Sequence, residues 1–424
     1  MKQYSFFVLL FVLLGAVNEG FSQEDSLSIE KCYSLARENY PAIQKMDLIA
    51  RAAEFDVKNA NRKYLPQLNL SSSMSYSYYD VAGDVQNVEL NNGQYGAQAN
   101  LNQLIYDGGE TRYQKKLAIA QSDLQSQQLE TELYALKNRI NQVFFGIILL
   151  DLQLEQIQIN RENLESQFKK IEAMVENGVL LRSNLDELRV ELMNIDMMRT
   201  EYESNKIAYL RVLSLFVGED ILNSKRLAKP QTPTLGDEIL RVELLTFEKQ
   251  RLIYDWQEKQ LRSSFTPRLQ AYANGAMSYL NADFSGLGTN MALDGQMKNW
   301  SMGVTLNWSI SGLYTHGLSK KKLALNRDML DSDRQSFLFK TSIDLAQQDE
   351  QVKKYEQLLQ QDKELVSLRA SIANAAKAQL ENGVITTHEY IQKVNAEHLA
   401  NQARILHEVQ LMQTQYNYKF INGN

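Results

Sequence analysis

Two periodicities alternate along this chain. From Gln67 to Tyr78 the apolar residues Leu68, Leu70, Met74, Tyr76 and Tyr78 alternate with the polar Gln67, Asn69, Ser71, Ser73, Ser75 and Ser77. That period of two predicts a strand with one apolar and one wet face. A second stretch sets Tyr95, Ala97, Ala99, Leu101 and Ile105 against Gln94, Gln98, Asn100 and Asn102. The pattern returns as Leu269, Ala271, Ala273, Met277 and Tyr279 against Arg268, Gln270, Asn274 and Ser278. It returns once more as Trp300, Met302, Val304, Leu306, Trp308 and Ile310 against Asn299, Ser301, Thr305, Asn307 and Ser309. Four strands are predicted, over about 67–79, 94–106, 268–280 and 299–311.

Elsewhere the period is helical. Leu129, Leu133, Leu136, Ile140, Val143, Ile147, Leu150, Leu154, Ile157, Leu164, Phe168, Ile171 and Val175 follow one another in steps of four and three, broken only at Arg161. This is a heptad seam and implies a left-handed supercoil. A second stripe through Phe144, Ile148 and Leu152 predicts more than one helical neighbour. Helices are expected over about 28–62, 110–176, 183–217, 238–263, 318–381 and 386–420.

The chain is written twice. Glu176-Asn177-Gly178-Val179 recurs as Glu381-Asn382-Gly383-Val384, and Lys115-Lys116-Leu117-Ala118 as Lys321-Lys322-Leu323-Ala324, each about 205 residues on. Leu101-Asn102 recurs as Leu306-Asn307, and Leu65-Pro66-Gln67-Leu68 as Thr266-Pro267-Arg268-Leu269. Self-similarity in constant order marks an internal repeat. Residues 23–229 form the first copy and 238–424 the second, joined by a linker over 230–237 that carries Pro230 and Pro233. Proline cannot continue a helix there.

The amino terminus reads as an address. Lys2, the apolar run Phe6–Val17 and the small residues flanking Phe21 make residues 1–22 a cleaved signal peptide. The run is well short of the ~20 residues that span a bilayer as a helix. A net charge of −6 gives no basic surface for nucleic acid, and one cysteine, Cys32, permits no intrachain disulfide. Cys32 is expected to be a buried thiol on the first helix, because Ile29-Glu30-Lys31 before it does not resemble a lipoprotein cleavage site. Among 424 residues there are only 5 prolines, which favours long uninterrupted elements.

The strands point to a membrane. Each has the ten or so residues that a tilted transmembrane strand requires. Tyr76, Tyr78, Tyr79, Tyr106, Tyr279, Trp300 and Trp308 lie near strand ends, as an interfacial aromatic girdle does. A soluble antiparallel sheet with one face on a core gives the same alternation. Yet four strands in lipid cannot close a barrel, since about eight is the minimum, and open edges there leave backbone groups unpaired. Several chains must then share one barrel.

Helix lengths fix a topology. The segment from about Glu110 to Glu176 is about 67 residues, or about 100 Å of helix. Its return over about 183–217 is half as long, and about 28–62 supplies the other half. The second copy repeats this arithmetic. The expected result has strands at one end of a helical body and the two Glu-Asn-Gly-Val turns at the other. The N-terminus, the linker and the C-terminus then meet between them.

The Leu65-Pro66-Gln67-Leu68 strand entry, the Tyr106-Asp107-Gly108-Gly109 exit and the duplicated Asn-Gly-Val turns resemble the TolC-like outer membrane efflux protein family over essentially the whole mature chain. The resemblance implies an α+β membrane protein, a long α-helical coiled-coil barrel continued by a transmembrane β-barrel. It further implies a homotrimer, four strands per chain and 12 in the barrel, in the outer membrane and extending into the periplasm. The implied function is a passive exit duct of a tripartite efflux pump or type I secretion system. Its partners would be a periplasmic adaptor, an inner-membrane transporter and outer-membrane lipid. By position, Asn177, Gly178, Val179 and Leu180, with Asn382, Gly383, Val384 and Ile385, correspond to the adaptor-contacting tips. Gly178 and Gly383 equally suit simple helix C-capping. Family members narrow the periplasmic mouth with acidic side chains, and the matching positions hold Glu389 and Gln392. The glutamine departs from a paired carboxylate gate, and Glu389 alone also fits a helix-start acid. Near the first turn, Asp186 and Glu187 read as first-turn acids of the returning helix.

Catalytic chemistry is not indicated. His316, His388, His398 and His407 show no metal spacing, and phosphate-loop, dinucleotide and nucleophile-elbow motifs are missing. No enzyme activity, metal or cofactor is expected. The rival reading is an exported coiled-coil scaffold or adhesin with a soluble sheet.

Overall fold

The computed structural model describes residues 26–81, 88–222, 227–234, 236, 238–283, 292–310 and 312–423. The expected signal peptide lies outside them. The elements follow in the order α1 (Ile29–Asn39), α2 (Lys45–Arg62), β1 (Gln67–Val81), β2 (Val88–Tyr106), α3 (Glu110–Glu176), α4 (Arg182–Val217), α5 (Val242–Ser263), β3 (Arg268–Asp283), β4 (Ala292–Asn307), α6 (Gly312–Glu381) and α7 (Thr387–Asn422). Helix, two strands, a very long helix and a helix of about half its length thus occur twice.

One expected helix is broken. Residues 28–62 form α1 and α2, separated by a 3-10 turn over Pro41–Gln44. Tyr40 is extended, at φ −67° and ψ 122°, because the ring of a following proline excludes the helical conformation. Ser28 caps α1 by accepting from the Lys31 amide. Two further bounds shift: α5 starts at Val242 rather than near 238, and α6 at Gly312 rather than near 318.

The strands form one antiparallel sheet in the order β1-β2-β3-β4. β2 and β4 start earlier than their alternation predicts, at Val88 and Ala292, because hairpin pairing continues to Val81↔Val88 and Asp283↔Ala292. One irregularity, between Leu104 and Tyr106, interrupts the β2–β3 register.

The chain divides into two compact units. The first comprises residues up to Ile43, Glu130–Val242 and Leu338 onward; the second comprises Gln44–Leu129 and Glu243–Phe337, including the sheet. In the first unit the core follows the heptad seam of α3 through Leu133, Leu136, Ile140, Ile147, Leu150, Ile157, Leu164 and Ile171, all buried. The seam omits Phe145, which is 1% exposed and packs edge-on against Tyr416 at 5.4 Å. Val143 and Leu154 are only half-buried. α3 is apolar enough by composition to cross a membrane, but 44% of that window is buried inside the fold; helices in protein cores share that composition.

Chain termini and linker are tied together in this unit. Leu27 bridges Leu227 in parallel, and the Leu240 amide donates to the Asn422 carbonyl at 2.7 Å. The Tyr416 hydroxyl reaches both Glu30 and the Gln231 carbonyl at 3.2 Å. Cys32 is fully buried and unpaired, and burial, aided by Glu30, pushes its thiol up to about 12. A thiol in that state is inert.

Candidate functional site

The two repeated turns close in the same way. After α3 the Gly178 amide bonds the Val175 carbonyl at 3.0 Å and the Val179 amide bonds the Met174 carbonyl at 2.9 Å. After α6 Gly383 bonds Leu380 at 3.0 Å and Val384 bonds Gln379 at 2.8 Å. Both are Schellman motifs, which need a left-handed residue at the glycine, and φ is +74° at Gly178 and +69° at Gly383. Open space surrounds the Cβ position of each, so backbone conformation alone selects glycine. The side chains of Asn177 and Asn382 donate to the Ala173 and Ala378 carbonyls at 2.7 and 2.8 Å, the same carbonyls that already accept from their backbone amides.

The tips split their apolar residues in two. Leu180 and Ile385 pack onto a cluster built by Ile157, Leu164 and Ile171 of α3, Leu188 and Ile195 of α4, Ala376 and Leu380 of α6, and Tyr390 and Val394 of α7. Val179, Leu181 and Val384 are instead 65%, 74% and 69% exposed. Leu181, absent from the sequence-derived set, is the most exposed of the three. Its signal is its position: it is the N-cap of α4 and provides no side-chain bond there, where a polar residue is the usual choice. Beneath the tips Lys170 of α3 pairs with Glu381 of α6 at 2.6 Å, and that bond holds the Glu381 carboxyl below the usual range.

Glu389 has a local task. Its carboxylate accepts from the Thr386 amide at 2.9 Å and the Thr386 hydroxyl at 3.1 Å. Thr386 in return accepts from the Glu389 amide at 3.2 Å. This reciprocal capping box starts α7. The bonds from Thr386 hold the carboxyl below its ordinary value, so it stays ionised and exposed. Gln392 is exposed one turn on and bonds His388 at 3.0 Å. Asp186 and Glu187 lie in the second turn of α4 rather than the first, both exposed.

In the second unit the sheet separates polar from apolar. Register sets Leu70, Ala99, Gly275 and Trp300 in one row across the four strands, and Leu68, Leu101, Ala273 and Met302 in the next. Leu70 and Trp300 are 76% and 78% exposed. Tyr95 and Tyr279 face each other on the same side, with ring centroids 6.5 Å apart. The other face presents Asn69, Asn100, Asn274 and Ser301 in a row. Met297 and Ala276 also lie on this face, as does Tyr272, which covers Gly303: a Cβ there would meet the Tyr272 hydroxyl at 2.9 Å.

The strand exit is a compact hinge. Asp107 accepts from the Gly109 amide at 2.9 Å, the Thr111 amide at 2.7 Å and the Tyr64 hydroxyl at 2.8 Å. Burial pushes this carboxyl up, and the bonds from Thr111, Tyr64 and Gly109 outweigh it and hold the group low. Gly108, at φ +68°, sits where a Cβ would overlap Thr266. This explains why Asp-Gly-Gly follows β2. Among the described residues no cluster of His, Cys, Asp and Glu could hold a metal ion.

Comparison with known proteins agrees with this architecture. Residues 32–204 match the family described as outer membrane efflux protein. The fold superposes on the outer-membrane channel OprN with a TM-score of 0.66 at 14% identity, covering 93% of this chain and 90% of that one. The Campylobacter jejuni outer membrane channel CmeC gives 0.64 at 14% identity, covering 93% and 85%. The Vibrio cholerae outer membrane protein VceC gives 0.66 at 11%, covering 93% and 96%. No curated relative matches the chain. The fold is the one seen in these outer-membrane channel structures. The first repeat thus carries the signature of the outer membrane efflux proteins over residues 32–204, and the chain has the fold of solved outer-membrane channels along 93% of its length.

Proposed function

We propose that this protein is an outer-membrane channel, the passive exit duct of a tripartite efflux pump or a type I secretion system, working as a homotrimer with a periplasmic adaptor and an inner-membrane transporter. The observation that carries the reading is the pair of helix–turn–helix tips closed by the same glycine-centred bonds, each offering exposed apolar side chains above a packed cluster. Val179, Leu181 and Val384 are the adaptor contacts in this reading, and Leu180 and Ile385 are their anchors. Exposed apolar residues with a packed foundation are what a docking partner uses as anchor points.

The sheet supports trimerisation. β1 and β4 are its edges, and in lipid their backbone groups require partners. Three copies supply 12 strands and close the ring. Leu318, Leu325 and Met329, at heptad-like spacing on α6, are exposed in the single chain and suit a seam between copies. In the trimer three copies of Glu389, flanked by Gln392, form the periplasmic constriction, where fixed negative charge favours cations.

The test is planar-bilayer conductance of the detergent-purified mature protein beside Glu389→Gln, in which the shorter-range acceptor for Thr386 survives and the charge does not. Discrete steps that lose cation preference in the variant are expected. Steps of unchanged selectivity would remove Glu389 from the constriction and leave the duct. An inserted oligomer that conducts in neither form, even after the tips are cleaved, would overturn the duct.

A further inference from the structure

The apolar face of the sheet is not uniformly bulky. Between the row containing Met74, Tyr95 and Tyr279 and the row containing Leu68, Leu101 and Met302, small residues recur: Ser72, Ala97, Ala99 and Gly275. They floor a shallow, open groove of about 600 Å³ whose rim includes Leu70, Met277 and Lys298. No atom lies within 4 Å of where a Gly275 Cβ would stand, so the floor there is open.

Lys298 breaks the pattern of this face. It pairs with Met277 across β4 and β3, on the same side as Trp300 and Met302, and among the described residues no carboxylate is paired with it. A cation among lipid-facing positions is expensive unless it reaches the headgroup layer. Its height meets that condition. β4 ends at Asn307, where the chain turns toward α6, and Lys298 stands nine residues before it. At about 3.4 Å per residue and a tilt of about 45°, that is about 22 Å above the helix-side end of the strand. The apolar band of such barrels is about 25 Å tall. Lys298 therefore stands just inside the far edge of the band, and its side chain extends to the headgroups of the leaflet farther from the helices, which is the outer one. Tyr95 and Tyr279 lie beside it at interfacial height.

We propose that this face binds one outer-leaflet anionic lipid of the phosphorylated glycolipid (lipid A) type, with a phosphate on the Lys298 ammonium and an acyl chain in the Ser72–Ala97–Ala99–Gly275 groove. The occupant is fixed by charge and depth together. A phosphate at the outer headgroup level of an outer membrane belongs to the glycolipid, whereas phospholipid phosphates belong to the opposite leaflet. The groove crosses the four strands of one chain, from Leu70 and Ser72 on β1 to Lys298 on β4, and pairing between copies joins backbone edges in the plane of the sheet, leaving this face open. The proposal rests on the outer-membrane placement of the sheet.

The experiment is a titration of the full-length oligomer in mild detergent with lipid A, phosphatidylglycerol or phosphatidylethanolamine, read by native mass spectrometry. Wild type is expected to take lipid A at least fivefold more tightly than phosphatidylglycerol. Lys298→Gln should lose that preference by fivefold or more, and Gly275→Leu, which fills the groove and keeps the charge, should weaken lipid A similarly. Lys116→Gln, on the helical body, should change nothing. Lipid A binding by Lys298→Gln equal to that of wild type would overturn the site, and equal affinity for phosphatidylglycerol would overturn the glycolipid. Heat-modifiable mobility of each variant confirms a folded oligomer. A wild type that fails to insert into liposomes would instead strike at the membrane placement itself.

Discussion

The capping box at the second tip separates local helix chemistry from partner docking. In Thr386→Ala the hydroxyl that accepts from the Glu389 amide at 3.2 Å and donates to its carboxylate at 3.1 Å is lost. Replacing a threonine N-cap by alanine costs about 1 kcal/mol. The Schellman bonds on the other side of the turn are untouched, so the loss falls on the first turn of α7 alone. At RT of about 0.6 kcal/mol, 1 kcal/mol raises the population of the frayed turn about fivefold. Amide hydrogen exchange over peptides spanning residues 382–392 and 177–187 reads this directly, because both tips are followed in one sample. Exchange is expected to quicken about fivefold in the first window and to stay unchanged in the second. The first tip provides its own control. Its N-cap, Leu181, provides no side-chain bond, so wild-type exchange should already be faster there, and Leu181→Ser should slow it. Exchange within twofold of wild type for Thr386→Ala, or acceleration at both tips alike, would refute the assignment of the cap as the local determinant.

Three further outcomes follow from other parts of the fold. Gly108→Ala should prevent correct closure of the strand exit, since its Cβ would fall 1.4 Å from the Thr266 hydroxyl oxygen, whereas Gly109→Ala, whose nearest neighbour is 3.6 Å away but whose φ is +88°, should still fold at a cost of about 1–2 kcal/mol of backbone strain; oligomer yield separates them. Leu164→Ala, fully buried in the cluster beneath the tips, should cost about 3 kcal/mol through a cavity and show as faster proteolysis at both turns. His398 is buried on α7, with its ring nitrogen 2.8 Å from Gln402. Burial holds its pKa down against the opposing pull of Glu191. Its contribution to stability is therefore complete above its unfolded pKa of about 6.5 and is lost as pH falls through the lower folded value. Thermal denaturation at pH 8 and pH 5 should show a smaller acid loss in His398→Gln than in wild type.

Patterns of period two and three-and-a-half carry far in a protein of this kind. A strand with one apolar and one wet face needs no knowledge of its neighbours, and α3 is so long that its seam is visible from Leu129 to Val175. The asparagine–glycine turns were legible for the same reason: only glycine takes the φ of +74° and +69° that a Schellman ending demands. Pro41 was also visible, yet its effect on an otherwise unbroken helical period was missed, because the break depends on Tyr40 rather than on the apolar spacing.

Other features could not be read from spacing. Glu389 has the same identity in a capping box as in a charged ring, and only the bonds to Thr386 reveal its local task. Leu180 and Leu181 are identical neighbours. One packs on the cluster of α3, α4, α6 and α7 residues while the other is 74% exposed, a difference set by helices distant in sequence. Phe145 lies off the heptad seam and is buried because Tyr416, some 270 residues later, returns to meet it. The Lys298 groove exists because strands from the two repeats align Ser72, Ala97 and Gly275 across three chain segments. The sequence alone determined the elements, the duplication and the polarity of each face, all of which are local in the chain. Only the tertiary structure decided which side chains meet, because register and packing join residues hundreds of positions apart through contacts that no local period encodes.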